Sequence, residues 1–144
     1  MRNPDAHERL IRPHSLIQAG ARWHMRGFCK EIQEFREFNL GRLGAVEFAL
    51  DVTLPGLDDD VDWQTIVCVR FVPHRDLSPS QQKLVRDEYM AGTTASVFHV
   101  RKPMARYLAH AFRVAMDPSR EIPPFYLLMV HDPSSLPEGT LWRD

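Results

Sequence analysis

Residues 22–29, with the sequence RWHMRGFC, alternate basic and apolar side chains along the chain. In an extended strand, residues i and i+2 share one face and stand about 6.6 Å apart, so this alternation predicts a strand with two chemically different faces. The apolar face is the one that we expect to be buried. One face would carry Arg22, His24 and Arg26, and the other would carry Trp23, Met25 and Cys29.

A second segment, residues 34–43, predicts another strand with the same kind of face. Residues 18–21 and 30–34 read as the connections, so residues 9–43 predict a small antiparallel sheet. The second segment would place Arg36, Phe38, Leu40 and Arg42 together. The arginine fork matches the geometry of phosphate and carboxylate groups, which favours an anion site on this sheet. Two hairpin strands with solvated arginines are the alternative, and spacing alone leaves both interpretations open.

Charge is distributed unevenly along the 144 residues, although the formal net charge is −1. Residues 9–42 carry seven Lys and Arg against three Glu, whereas residues 51–144 carry ten Lys and Arg against thirteen Asp and Glu. Only the first part is therefore suited to an anionic ligand such as a nucleotide or a nucleic acid. The sequence pI near 6.6 argues against non-specific coating of duplex DNA.

The second half of the chain predicts alternating strands and helices. Ser78 is a good N-cap because Pro79 occupies the first helical position and Gln81 lies three residues after the cap. The acidic run at residues 58–60, next to a Pro-Gly pair, reads as a solvated linker. The predicted elements are a strand at 65–72, a helix from Ser78 to about Met90, a strand at 95–100, a helix from Pro103 to about Ala115, and a strand at 126–131.

The sequence contains few residue patterns that would indicate a catalytic or metal site. It has no C-x-x-C, H-E-x-x-H, nucleophile elbow or glycine-rich phosphate loop, so we expect no enzyme, no metal and no cofactor. Cys29 and Cys68 are expected to be buried free thiols. No apolar run is long enough to span a bilayer, and no signal peptide pattern is present, which predicts a cytoplasmic protein without membrane contact.

Four motifs follow one another in the first third of the chain: RPHSL at 12–16, RWHMR at 22–26, FREF at 35–38 and GRL at 41–43. Their order and spacing resemble the WYL domain, the ligand-sensing module of many bacterial transcriptional regulators. The Trp-Tyr-Leu triplet of that domain is here Trp23-His24-Met25. The Trp-His pair is similar to a branch of WYL repressors found beside phage-defence operons, and it leaves the tyrosine contacts of other members without a counterpart. PHRDLSPSQQ at 73–82 and VRKPMARY at 100–107 resemble the C-terminal extension of these repressors.

The resemblance implies an α+β fold. A small Sm-like or SH3-like β-barrel, incomplete because the first strand of the family is missing, would precede an α+β sandwich of the order strand-helix-strand-helix-strand. The implied domains are a partial WYL domain at 1–54, a linker at 55–63 and a dimerising extension at 64–144. The winged helix-turn-helix of the family has no counterpart before Arg9. We therefore expect a truncated product, a proteolytic remnant or an internal start, with operator DNA bound only through the missing domain.

As the resemblance implies, the chain would be the effector-sensing and dimerisation portion of a WYL-type regulator. Its ligand would be a nucleotide or a single-stranded nucleic acid, its partner a second copy, and Trp23, Phe38 and Leu40 would be core residues. The implied ligand-binding residues are His14, Arg22, His24, Arg26, Arg36 and Arg42, and Arg101 and Arg106 would complete the site of a second subunit in trans. Two other classes stay open: an independent single-stranded nucleic-acid binder, and a structural dimerisation module without a ligand.

Overall fold

The alternating N-terminal segments form three antiparallel strands in the computed structural model, which describes residues 7–142. The strands are β1 (Ile11–Ala19), β2 (Arg22–Cys29) and β3 (Glu34–Asn39), in the order β1-β2-β3. Gly20 lies in the β1–β2 turn with φ of +60°, a left-handed conformation that glycine adopts without steric cost. This sheet is open, and no closed barrel is present in residues 7–142.

The strand register confirms the predicted alternation of β2 and separates two of the predicted arginines. Arg26 lies directly opposite Glu37, whereas Arg36 lies opposite Gly27. Directly opposite residues share a face, so Arg26 and Arg36 lie on opposite faces of the sheet. We call the two faces the arginine face, defined by Arg22, His24 and Arg26, and the tryptophan face, defined by Trp23 and Met25.

Close backbone packing between β1 and β2 explains a glycine in the middle of β2. The register shifts between Pro13 and Ser15, which is a bulge-like irregularity in β1. A Cβ atom added at Gly27 would lie 2.5 Å from the carbonyl oxygen of Arg12. Glycine is therefore the residue that allows the two strands to approach at this point.

The chain leaves the sheet after β3 and forms little regular structure up to residue 56. Leu40–Arg42 is a 3₁₀ helix whose N-cap Asn39 accepts a hydrogen bond from the Gly41 amide, so Arg42 is not on a strand face as predicted. Residues 43–56 contain no helix or strand. Val46, Phe48 and Leu50 in this segment are 76%, 99% and 82% exposed.

The described part of the chain forms two compact units, residues 7–61 and residues 62–142, and the short helix α1 (Val61–Gln64) lies at the boundary. The elements of the second unit after α1 are β4 (Ile66–Pro73), α2 (Pro79–Tyr89), β5 (Ser96–Arg101), α3 (Ala105–Ala111), β6 (Val114–Ala115) and β7 (Leu128–Val130). Its four strands form one sheet in the order β5-β4-β7-β6, antiparallel except for the β6–β7 pair. Together the two units form an α+β fold, as predicted.

The core of the second unit lies on one side of this sheet. Alternate residues of the central strand β4 are buried there and pack with residues of both helices. The predicted start of α2 is confirmed, since the Ser78 hydroxyl accepts from the Gln81 amide and the Gln81 side chain accepts from the Ser78 amide. The core residues that show this packing are Val67, Val69, Phe71, Val85, Ala105 and Ala109.

The second predicted helix is shorter than expected. It was predicted to run from Pro103 to about Ala115, but α3 ends at Ala111. Arg113 has φ of 50°, which turns the chain back so that Val114 and Ala115 form a buried strand beside β7. Burial of the β6 side chains therefore overrides the helical periodicity. None of the helices in residues 7–142 has the length and apolar character needed to cross a membrane.

Candidate functional site

Arg26 lies on the arginine face and is 4% exposed, with its guanidinium held by two carboxylates. Its Nε and Nη2 atoms donate to Oδ2 and Oδ1 of Asp60 at 2.6 and 2.8 Å, and Nη1 donates to Oε2 of Glu37 at 3.1 Å. Asp60 is 1% exposed. Removing an ion from water costs roughly several kcal/mol, and the bidentate pair offsets that cost.

His14 is a second partner of Asp60. The irregular register places His14 between the paired residues of β1, where its Nε2 lies 2.9 Å from Oδ2 of Asp60 and its Nδ1 lies 2.8 Å from the Ser15 hydroxyl. An ionised carboxylate only accepts hydrogen bonds, so the Nε2 atom carries the proton in this contact. The imidazole ring also packs against Phe35, with ring centroids 5.8 Å apart.

Asp60 was missed as a functional or structural residue, because the acidic run 58–60 was interpreted as a solvated linker. Asp58 and Asp59 are exposed as expected, but Asp60 is buried within the first unit. A buried strand arginine needs a carboxylate partner, and a nearby acidic run was the available signal. Arg26 and His14 therefore belong to a buried ion network, and their contact with a ligand stays a prediction.

Arg22 and Arg42 occupy a different environment, which we call the open end of the first sheet. Arg22 is the first residue of β2, His24 lies opposite Asn39, and the 3₁₀ helix that follows Asn39 packs against β2 and carries Arg42. Both arginines are exposed, and neither forms an ion pair with any residue of the described part of the chain. The open end thus combines two available guanidinium groups with the half-buried imidazole of His24.

Three other basic residues of the first unit have carboxylate partners nearby in the sequence or in the adjoining turn. Arg36 donates to Oε2 of Glu34 from Nε at 2.9 Å and from Nη2 at 2.7 Å, on the face opposite Arg26. His7 donates to Glu31 at 2.8 Å and Arg9 lies 3.7 Å from the same carboxylate. The hydrogen bond from His7 and the charges of His7 and Arg9 lower the pKa of Glu31, which lies in the turn before β3. The predicted single arginine-rich face is therefore wrong for Arg36.

The tryptophan face is more exposed than predicted. Trp23 was assigned to the core, but it is 47% exposed, and Leu16 is 64% exposed. Leu16, Met25 and Phe38 lie in one row across the three strands. The alternation was correct, and Cys29 on the same side as Trp23 is buried as predicted, but the prediction of a buried face is wrong for Trp23. Ile17, Phe28 and the Arg26 network are buried on the other side.

The two arginines predicted to act in trans both lie beside aromatic rings of the second unit. The Arg101 guanidinium lies 5.2 Å from the centroid of the buried Trp63 ring and donates to the Trp63 carbonyl at 2.8 Å. The Arg106 guanidinium lies 5.3 Å from the Tyr107 ring centroid. Their contribution to a site in a second subunit stays a prediction.

Each of the two units matches a known protein family. Residues 1–48 match the WYL domain, and residues 66–136 match the model described as the BrxR transcriptional regulator C-terminal dimerization domain. The chain is 29% identical over 121 residues to the DNA-binding transcriptional repressor CapW of Pseudomonas aeruginosa, covering 84% of this chain and 40% of that protein. It is 37% identical over 106 residues to the CapW repressor of Stenotrophomonas maltophilia, covering 72% of this chain and 35% of that protein.

A CapW repressor of Escherichia coli is 27% identical over 128 residues, covering 85% of this chain and 41% of that protein. The chain thus spans about two fifths of the length of these curated relatives. The two family matches lie in the order that the sequence motifs predicted, with the WYL match first. The chain belongs to the WYL-domain transcriptional regulators.

Proposed function

We propose that this chain is the effector-sensing and dimerisation portion of a WYL-type repressor, and that the open end of its first sheet binds phosphate groups of a nucleotide or a single-stranded nucleic acid. The observation that carries the proposal is the exposure of Arg22 and Arg42 without an ion pair in residues 7–142. Arg26, by contrast, already directs its guanidinium at Asp60 and Glu37. Arg22 and Arg42 are therefore the better phosphate ligands.

The exposed Trp23 supports a nucleic-acid ligand over an isolated phosphate. It follows Arg22 in β2, and its ring is 47% exposed. Stacking of a base on an aromatic side chain contributes about 1–3 kcal/mol per base and tolerates any base. A strand of nucleic acid that crosses the end of β2 would meet a guanidinium on one side and an indole on the other.

The buried network gives this site its rigidity. Arg26 and Asp60 fix the middle of β2 to the segment that precedes α1, and the Arg12 side chain donates to the Leu54 carbonyl. Rigid support reduces the conformational entropy that a binding site loses when its ligand binds. In this proposal the main role of Arg26 and His14 is to position the strand that carries Arg22.

The test is the fluorescence anisotropy of a labelled oligothymidylate titrated with the 144-residue chain. Arg22→Ala and Arg42→Ala should each weaken binding by about 1.5–3 kcal/mol, the range for hydrogen bonds to charged groups. Arg120→Ala is the matched control because Arg120 is exposed in the second unit. Affinity should also fall as the salt concentration rises.

A Trp23→Ala variant separates the ligand classes. It should weaken binding of the oligonucleotide and leave binding of inorganic phosphate unchanged. Unaltered oligonucleotide binding by an Arg22→Ala/Arg42→Ala double variant would exclude the open end as the site. Absence of any oligonucleotide or nucleotide binding by the parent chain would favour the structural dimerisation module.

Dimerisation is the second part of the proposal. It is supported by the dimerization-domain match over residues 66–136, which spans all four strands of the second sheet. Light scattering on the 144-residue chain should give the mass of two copies. A mass of one copy at all accessible concentrations would contradict this part alone.

A further inference from the structure

The central strand of the second sheet has one face in the core and one face in solvent. Val67, Val69 and Phe71 are at most 4% exposed, and the residues between them point to the opposite side. Ile66 on that opposite side is 57% exposed, and Cys68 and Arg70 are also exposed. Helices α2 and α3 contribute to the core side, where Val85, Ala105 and Ala109 pack.

Neighbouring strands continue this solvent face. Cys68 lies opposite His99, and Arg70 lies opposite Val97, which is 46% exposed. Direct cross-strand neighbours have Cβ atoms about 4.5–5.5 Å apart, so the residues form one continuous surface. We call this surface the outer face of the second sheet. It consists of Ile66, Cys68, Arg70 and Val72 on β4, Val97, His99 and Arg101 on β5, and Met129 on β7.

The composition of the outer face is unlike that of an ordinary solvated sheet. An antiparallel sheet with one face in water usually carries polar residues on that face. Here Ile66, Cys68 and Val72 are three of the four outward positions of β4, and Val97 adds a fourth apolar or weakly polar side chain. Basic residues lie between these side chains, since Arg101 is opposite Ile66, His99 is opposite Cys68 and Arg70 is opposite Val97. An exposed face that combines apolar side chains with arginines is typical of a protein–protein interface, where arginine is enriched and lysine and acidic residues are depleted.

We propose that the outer face of the second sheet is the surface through which two copies of this chain dimerise. This inference rests on the dimerisation part of the proposed function and names the surface that performs it. The dimerization-domain match begins at Ile66, the first residue of β4, so it includes the whole outer face. The occupant that this match indicates is a second copy of the same chain.

Charge at the rim of the outer face fits a two-fold arrangement. Arg70 and Asp132 both line a groove of about 470 Å³ beside β4, and Arg70 forms no ion pair within residues 7–142. A C2 interface is self-complementary, so a contact from one copy to the other occurs twice. In the proposed dimer, we expect Arg70 of each copy to meet Asp132 of the other copy.

The experiment measures the dimer dissociation constant of the 144-residue chain by light scattering and sedimentation. Ile66→Asp and Val97→Asp should each raise the dissociation constant at least 100-fold. Leu84→Asp is the matched control because Leu84 is 66% exposed on α2, away from the outer face, and this variant should leave the constant unchanged. Hydrogen exchange of the β4 and β5 amides in the monomeric variants checks that the sheet is still folded.

Cys68 provides a second readout without any substitution. Cys29 is buried, so Cys68 is the thiol that a maleimide reagent reaches first in the folded chain. Its labelling rate should fall at least tenfold between dilute and concentrated protein. An Arg70→Asp variant should dissociate the dimer, and Arg70→Asp/Asp132→Arg should restore it.

The possible failures are distinguishable. A parent chain that is monomeric at all concentrations overturns the dimerisation part of the proposed function together with this inference. A dimer that survives Ile66→Asp and Val97→Asp, with Cys68 labelled at a concentration-independent rate, overturns the outer face alone. Dissociation by Leu84→Asp or by Phe125→Asp, which alters a residue 70% exposed elsewhere in the second unit, also overturns it.

Discussion

The buried network around Arg26 predicts which of two substitutions destabilises the first unit more. Arg26→Met leaves the buried carboxylates of Asp60 and Glu37 without the guanidinium that both contact. Asp60→Asn removes one of the two charges that hold Arg26, and the Glu37 contact at 3.1 Å is retained. Breaking a buried ion pair costs about 3–5 kcal/mol. We therefore expect about 5 kcal/mol for Arg26→Met and about 3 kcal/mol for Asp60→Asn.

The size of the first unit makes these costs decisive. At roughly 0.05–0.15 kcal/mol per residue, a unit of this size has a stability of about 3–9 kcal/mol. Arg26→Met should thus bring the first unit close to unfolding, whereas Asp60→Asn should leave it folded but weakened. The second unit, whose core is formed by other residues, should be unaffected.

Native-state hydrogen exchange is the suitable assay because it reports each unit separately. Amides of the β1–β2 ladder should lose protection in the order parent, Asp60→Asn, Arg26→Met, and amides of the β4–β5 ladder are the internal reference. Surface substitutions usually change the free energy of unfolding by less than roughly 0.5 kcal/mol. If both variants kept the β1–β2 protection within about that margin of the parent, the buried network would not stabilise the sheet. A larger loss of protection in Asp60→Asn than in Arg26→Met would refute the argument that two unpaired buried carboxylates cost more than the loss of one.

Four further outcomes are expected. Gly27→Ala should destabilise the first unit by about 1–3 kcal/mol by overpacking, measured by urea unfolding, because its Cβ meets the Arg12 carbonyl. Trp23→Ala should cost only about 1 kcal/mol in the same assay, since the ring is half exposed. Hydrogen bonds from the Ser119 hydroxyl and amide lower the pKa of Asp117. Their contribution to the stability of the folded state should be complete above the ordinary Asp pKa and lost as the pH falls through the lowered pKa. Ser119→Ala should raise the pKa of Asp117 in an NMR titration. In gel shifts, this chain alone should not select operator duplex, and specific binding would refute the placement of the sensor.

Local patterns predicted much of the fold. The alternation in residues 22–29 predicted β2 because side-chain direction in a strand depends only on residue parity. Ser78, Pro79 and Gln81 predicted the start of α2 because a capping box uses hydrogen bonds between neighbours in the sequence. The end of α3 was not predictable in this way, since it depends on the burial of β6 beside β7, a strand more than ten residues later.

The sequence by itself determined that β2 has two faces, that arginines concentrate in the first third of the chain, and that a region resembling the WYL domain is followed by a region resembling its C-terminal extension. Only the tertiary structure decided which face of β2 is buried and which arginines are available. That choice depends on Asp60, 34 residues after Arg26, because a buried guanidinium requires a carboxylate that the chain must bring to it. Parity is a local property, whereas charge pairing and burial depend on residues that are distant in the sequence.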